Sequence, residues 1–360
     1  MDILDIFFNE RVRNRRFHPR KLTLPEHGSF QLYGARGVGK TALVIAWLNA
    51  RESSAWLYID CLDPVFALED IDVTDLESFA AEEGITTVVL DHYYEGFLDH
   101  LPQVEQCIVV SRTLLSDTGL TAYELFGLDY EEFLSFGSDR SATQSFNRFL
   151  KVGTLPALAY EDSGTLPVAM RGLFWGAFHA DESRLMLILA RFQGRRVTAH
   201  QLYIYARESF RISKDWLYRT LRRFEEEKVI LFVPDRLSRS GRRMFLYDYA
   251  LSAYLHRGQS FAVTFESMLV LALIKHHYSF EALGNLGYRM TGGTLVVSAP
   301  FVSEEDAWRQ MYERAQQLKK HAVSKVALVS VANRYRFELG TIVFECVPFY
   351  EWSIVNEEGG

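Results

Sequence analysis

The sequence lacks several features that would point to a fold class at once. It holds three cysteines in 360 residues, Cys61, Cys107 and Cys346, with no CxxC pair and no Cys/His cluster at zinc spacing. Neither a disulfide framework nor a structural zinc site is expected, and the three thiols read as buried apolar fillers. With only 9 Pro and 23 Gly, a collagen-like or low-complexity chain is excluded. Long apolar runs are missing too, since none reaches the roughly 18 residues that a membrane-spanning helix needs. Asp2, Asp5 and Glu10 within the first ten residues are unlike a signal peptide. The expected setting is cytoplasmic, with no membrane partner.

What is present suits large buried cores. Hydrophobic residues make up 48% of the chain and charged residues 24%, and at roughly 150 residues per domain the length suggests two or three folding units. The net charge of −7 argues against an anionic partner until it is divided along the chain. Ser183 to Arg243 holds 15 basic and 6 acidic residues, a surplus of nine positive charges that leaves sixteen net negative charges on the rest. Segregation on that scale marks a separate functional surface, with an anionic partner as first candidate.

The most specific chemistry lies in Gly34-Ala35-Arg36-Gly37-Val38-Gly39-Lys40-Thr41, which fits G-x-x-x-x-G-K-[ST] between a strand-like Ser29 to Tyr33 and a helical Thr41 to Asn49. Glycines at 34, 37 and 39 let backbone N–H groups close around phosphate oxygens at a helix start. Lys40 is expected to reach the β- and γ-phosphates and Thr41 to ligate Mg²⁺; Val38, Arg36 and Ala42 complete the cofactor-binding set. A loop of this kind also needs a carboxylate at the end of a buried parallel strand. Ile85 to Asp91 supplies it, with Asp91 as the Walker B ligand of Mg²⁺. The residue after Asp91 is His92 rather than a water-orienting Glu, which predicts slow hydrolysis. His92, or Glu95 or Asp99 from a following helix, is the candidate to hold the water. Ala55 to Asp60 and Cys107 to Arg112 are further strands; Ser111 or Arg112 would sense the γ-phosphate, while Asp60 reads equally as the cap of the turn to Pro64.

These residues resemble the prokaryotic, archaeal-type AAA+ ATPases of the STAND-related group. The likeness extends through Tyr123 to Leu134, with its Glu132-Phe133-Leu134 ending, and through Gly153-Thr154-Leu155-Pro156, similar to the family's Gly-x-x-Pro turn. The resemblance implies an α/β chain in four parts: a P-loop NTPase parallel sheet over 1–120, a helical lid over 121–180, a winged-helix domain over 181–255 and a small restriction-endonuclease-like α/β domain over 256–360. It also implies ATP as the nucleotide, with Pro156 near the base. No Asn-Lys-x-Asp guanine-reading motif is present.

Ser183 to Leu251 has the order of a winged helix on its own residues: helices over Arg184 to Phe192, Ala199 to Phe210 and Lys214 to Lys228, then strands Val229 to Val233 and Arg243 to Tyr247 around Ser240-Gly241. Lys214, Arg219, Arg222 and Arg223 lie off the apolar stripe of the third helix, and Arg239, Arg242 and Arg243 load the wing, a placement suited to double-stranded DNA. The N-terminal Arg11, Arg13, Arg15, Arg16, Arg20 and Lys21 read as a solvated face or as further anion contacts. In the last part Glu266 could match the first carboxylate of a nuclease. No Asp or Glu occurs from Ala282 through Ser303, so the hairpin that should add metal ligands has none, and a scaffold without nuclease activity is expected. His276 and His277 read as structural, and Glu338, Glu345 and Glu351 as surface groups. The expectation is an Mg-ATP-binding ATPase whose nucleotide state, ATP or ADP, governs DNA binding. The alternative is a nucleotide-dependent switch that binds a protein partner or a second copy of itself, its winged helix packed within the chain.

Overall fold

In the computed structural model, which describes residues 3–10, 12, 17–52, 55–137, 141–238 and 242–355, the chain divides into two units. The first comprises Met1–Gly127 with Glu226–Val229, the second Leu128–Glu225 with Ile230–Gly360. No helix among the described residues is long and apolar enough to cross a membrane.

The first unit contains α1 (Ile3–Asn9), β1 (Phe30–Tyr33), α2 (Lys40–Leu48), β2 (Trp56–Asp60), α3 (Val73–Glu82), β3 (Thr87–Tyr93), β4 (Gln106–Ser111) and β5 (Thr121–Glu124). The strands form one sheet in the order β2-β3-β4-β1-β5, parallel at every pairing. Continuous apolar runs explain the central position of β3 and β4: Val88 to Leu90 and Cys107 to Val110 are fully buried, as a strand covered on both faces must be. α1 packs Ile3, Leu4 and Phe7 into the core with Leu57, Ile59, Val88, Leu90 and Val109. β5 falls outside the strands expected from sequence, because its four residues are exposed or half-exposed and show no alternation. β3 starts later than expected and runs two residues past Asp91. All three cysteines are buried, and burial pushes the Cys107 thiol up to about 12.

The second unit begins with the helices α4 (Tyr130–Leu134), α5 (Ala142–Val152), α6 (Pro156–Ala159), α7 (Leu166–Ala177) and α8 (Ala180–Ala190). It continues through β6 (Arg196–Val197), α9 (Ala199–Ser209), α10 (Lys214–Glu226), β7 (Ile230–Val233), β8 (Arg242–Leu246), α11 (Tyr249–Leu255) and α12 (Phe261–Lys275). Leu217, Leu221 and Phe224 of α10 are buried as their spacing demands, and β6-β8-β7 make a three-stranded antiparallel sheet. The remaining elements are β9 (Phe280–Ala282), β10 (Tyr288–Met290), β11 (Thr294–Ser298), α13 (Glu304–Lys320), β12 (Lys325–Ser330), β13 (Tyr335–Leu339), β14 (Ile342–Pro348) and α14 (Phe349–Val355). Their six-stranded sheet has the order β13-β14-β12-β11-β10-β9, parallel only across β11-β12-β14. Leu295, Val326, Leu328 and Phe344 pack with Ala307, Met311 and Leu318 of α13. His276 and His277 end α12, as C-cap and as a left-handed residue at φ 54, which fits their structural reading.

One buried carboxylate joins two helices of this unit. Asp248 caps α11 through Leu251 N at 2.6 Å and also accepts Thr154 N at 2.6 Å and the Thr154 hydroxyl at 2.8 Å. Gly153, which ends α5, has φ 84 and ψ −157, a region that is essentially closed to other residues. A Cβ there would lie 2.4 Å from Asp248 Oδ2. Gly153→Ala should therefore cost about 2 kcal/mol or more in urea unfolding. Gly28→Ala, also at positive φ but with nothing within 4 Å of the added carbon, should cost about half as much; equal losses at the two sites would show that the Asp248 contact is immaterial.

Candidate functional site

The loop between β1 and α2 is shaped by backbone that only glycine supplies cheaply. Gly34 has φ 147, and a Cβ on it would stand 2.3 Å from the carbonyl oxygen of Leu125. Gly39 caps α2 in the left-handed region at φ 96 with no side-chain hydrogen bond to the helix start. The first turn of α2 is the positive end of its dipole, and its N-cap, a glycine, has no side chain to offer it. Arg20 braces the loop by donating to Val38 O at 2.9 Å and to Phe126 O at 2.8 Å. Arg11, Arg13, Arg15 and Arg16 lie outside the described residues.

Lys40 opens α2 and folds back over the loop, its Nζ donating to Gly34 O at 2.7 Å and Ala35 O at 2.8 Å. Loss of hydration pushes its pKa down to about 8, with the Arg112 charge adding to the fall and the Asp91 charge opposing it. Lys40, Asp91 and Arg112 therefore share one electrostatic environment. Thr41 and Ala42 follow in the first turn of α2, both half-buried. Arg36 is buried and ion-paired, its Nε at 2.9 Å and Nη2 at 2.7 Å from Glu227 Oε2.

Asp91 lies opposite Asp60 in the β2–β3 register and is completely buried. Its two oxygens are each held by one donor, Oδ2 by the Tyr58 hydroxyl at 2.7 Å and Oδ1 by His92 N at 2.8 Å. Tyr58 is absent from the residues singled out by sequence. Burial, then the Asp91 charge, push its phenol far above the usual range, so it acts purely as a donor. The available signal was its position two residues before Asp60, on the same face of β2.

Past Leu90 the β3–β4 register shifts, with Tyr93 rather than His92 facing Ser111. One extra residue in β3 makes a bulge, a device that re-aims side chains at strand ends, and His92 takes φ 55 within it. Its Nδ1 lies 2.8 Å from Asp60 Oδ1 and 4.0 Å from Asp91 Oδ2. The Asp60 hydrogen bond raises the His92 pKa, against the effect of burial and with help from Asp91. Burial alone would raise Asp60, but bonds from His92 and from Leu62 N hold it below the ordinary range. Asp60 is thus both the turn cap, at 3.0 Å from Leu62 N, and the partner of His92.

Other candidates sit differently from expectation. Glu95 and Asp99 are not on a helix: the chain turns after β3 and both are exposed there, since Gly96 takes φ 88. Ser111 is buried, accepting from Gln31 Nε2 at 2.7 Å and donating to Thr113 O at 2.7 Å, so its hydroxyl proton serves the sheet end. Arg112 is half-buried and close enough to Lys40 and His92 for its charge to be felt by both. Pro156 occupies the first turn of α6 in the second unit.

In the second unit Lys214, Arg219 and Arg222 are exposed on α10. Arg219 and Arg222 border a groove of about 710 Å³ with Tyr218 and Phe232. Arg223 is ion-paired with Glu182. Arg242 grips Glu225 at 2.6 and 3.0 Å and stacks 4.0 Å from the Phe232 ring. Arg243 is held by Glu266 at 2.7 Å and by Gly284 O at 2.7 Å. Glu266 also accepts from the Tyr288 hydroxyl at 2.7 Å, so the carboxylate considered for a nuclease is bound by a cation and a phenol. Arg239 and the Ser240-Gly241 turn lie outside the described residues. Among the described residues no group of three or more His, Cys, Asp or Glu is arranged to hold a metal ion.

The Asp60–His92 pair sets a pH window. His92, raised above its ordinary 6.5, contributes stability that is complete below pH 6.5 and fades as pH rises through its folded value. Asp60, depressed below 3.8, contributes above that pH and fails as acid protonates it in the folded state. The stability lost in Asp60→Asn should therefore be greatest between about pH 4 and 6.5 and shrink above pH 7; a pH-independent loss in chemical unfolding would dismiss the pair. No protein-family model matches the chain and no curated protein is significantly similar to it, so the assignment of this site rests on its own chemistry.

Proposed function

We propose that the chain binds Mg-ATP at Gly34 to Thr41, hydrolyses it slowly to ADP and phosphate, and couples nucleotide state to double-stranded DNA binding through a winged helix spanning 181–255. The observation that carries this reading is Lys40, a lysine whose hydrogen bonds go to neutral carbonyls, set at a helix start with a glycine N-cap and sharing its electrostatic environment with the buried Asp91. A phosphate chain would restore the charge that desolvation penalises, and the backbone N–H groups of Gly37, Val38, Gly39, Lys40, Thr41 and Ala42 suit its oxygens. Thr41 and Asp91 would hold Mg²⁺; the ion takes few protein ligands and keeps its waters, so the small donor set fits. When bound, it neutralises charge on the phosphoryl group undergoing transfer.

His92 takes the water-holding role. Asp60 fixes the ring through Nδ1, which leaves Nε2 to receive a proton from water, the same division of labour by which a carboxylate orients a histidine base elsewhere. A histidine with a raised pKa is protonated over more of the neutral range, which keeps turnover slow. Arg112 is assigned the contact with the terminal phosphate. The sheet order, with β4 between the loop strand and the Asp91 strand, supports the P-loop ATPase reading and the STAND-related resemblance. On α10, Lys214, Arg219 and Arg222 would meet the DNA backbone. The internal pairing of Arg223, Arg242 and Arg243 favours the second reading, a switch whose partner is a protein.

Phosphate release should disappear in Lys40→Ala, while His92→Gln should retain ATP binding and lose about a hundredfold in kcat. Equal turnover in native protein and Lys40→Ala would refute the ATPase. For DNA, replacing Arg219 and Arg222 by alanine should lower the slope of log K against log salt by about two; an unchanged slope would leave the protein-partner switch as the surviving reading.

A further inference from the structure

We infer that Glu227 competes with the phosphate chain for Arg36, so that triphosphate binding releases the connector Glu226–Val229 from the loop. This rests on the phosphate reading of Gly34 to Thr41. The connector follows directly from α10 and leads into β7, yet these four residues belong to the first unit while the chain on either side belongs to the second.

Glu227 and Lys228 both anchor it. Glu227, only 5% exposed, receives both Nε and Nη2 of Arg36 on a single oxygen. Lys228, forced to φ 59, reaches to 3.7 Å from Glu124, whose carboxylate also accepts the Tyr33 hydroxyl at 3.2 Å. Arg36 is the third residue of the phosphate loop, between Gly34 and Gly37, and it is as buried as its partner.

The chemistry sets two anions against one guanidinium. Glu227 already supplies negative charge to this corner, since its charge supports the Lys40 ammonium while Arg36 opposes it. A triphosphate brings several more negative charges to the same cations. Buried carboxylate and phosphate repel each other at short range in a medium of low polarity, and a buried carboxylate that gives up a paired cation is costlier to keep. The arrangement therefore favours exchange of Arg36 from Glu227 to phosphate over a bridge serving both. Because coupling is reciprocal, whatever the connector loses on nucleotide binding, the nucleotide loses while the connector is docked.

Calorimetry with Mg-ATP and Mg-ADP on the full chain tests this. Glu227→Gln should bind Mg-ATP about tenfold tighter, with a smaller gain for Mg-ADP, which lacks the terminal phosphate. Lys40→Ala, titrated alongside, separates the two ideas: native affinity in that variant would overturn the phosphate reading and the competition with it. Loss of binding in Lys40→Ala with unchanged or weaker ATP binding in Glu227→Gln would overturn the competition alone. Should Glu227→Gln fail to fold, hydrogen exchange on the native protein decides. Amides of 226–229 should exchange faster with Mg-ATP, and unchanged or slower exchange would overturn the inference.

Discussion

The parallel pairing of β1 with β4 and of β4 with β3 is the constraint from which the candidate site follows. Each strand body is apolar and buried on both faces, and every fully buried Val, Leu or Ile adds about 1.5–3 kcal/mol. Apart from Gln31 in β1, the polar groups of these strands lie at or near their ends, and parallel pairing sends all the C-terminal ends to one edge. Lys40 at the start of α2, Asp60, Asp91, His92 and Arg112 are near neighbours for that reason. The same pairing leaves the sheet little freedom to separate them, since a change of register would draw the polar strand ends into the apolar core.

Within that edge each charge is held by a specific partner. Buried Asp91 is held by a phenol and an amide and buried Arg36 by a carboxylate, while half-exposed Asp60 is held by a histidine and an amide. Burial without such partners would cost several kcal/mol per group. Lys40 differs, because the two hydrogen bonds it donates go to carbonyl oxygens, which do not neutralise it.

Much of this was legible in the residues. The glycines and lysine of the loop, the strand ending in Ser111, α10, β11 and α13 appear close to where local pattern places them; the strand carrying Asp91 appears too, but shifted by two residues at each end. The reason is that each has a single strong period or a steric requirement. β5 was not legible, being short and half-exposed, and β9, β10 and β13 are too brief or too mixed in polarity to stand out. A helix carrying Glu95 and Asp99 was expected where the chain in fact turns at Gly96. Ser111 was legible as a polar strand end, but its engagement by Gln31 and Thr113 was not, because those partners come from another strand and a loop.

Taken alone, the sequence determined the loop, the buried strand that carries Asp91 and the surplus of positive charge between Ser183 and Arg243, because each depends on neighbours in the chain. Only the tertiary structure decided where those charges go. It bulged β3 so that His92 meets Asp60, placed Tyr58 on Asp91, joined Arg36 to a glutamate 191 residues away and gave Arg223, Arg242 and Arg243 to carboxylates of their own unit. Coulomb and hydrogen-bond energies depend on separations of a few ångströms, and such separations between residues distant in the chain are fixed by packing rather than by local pattern.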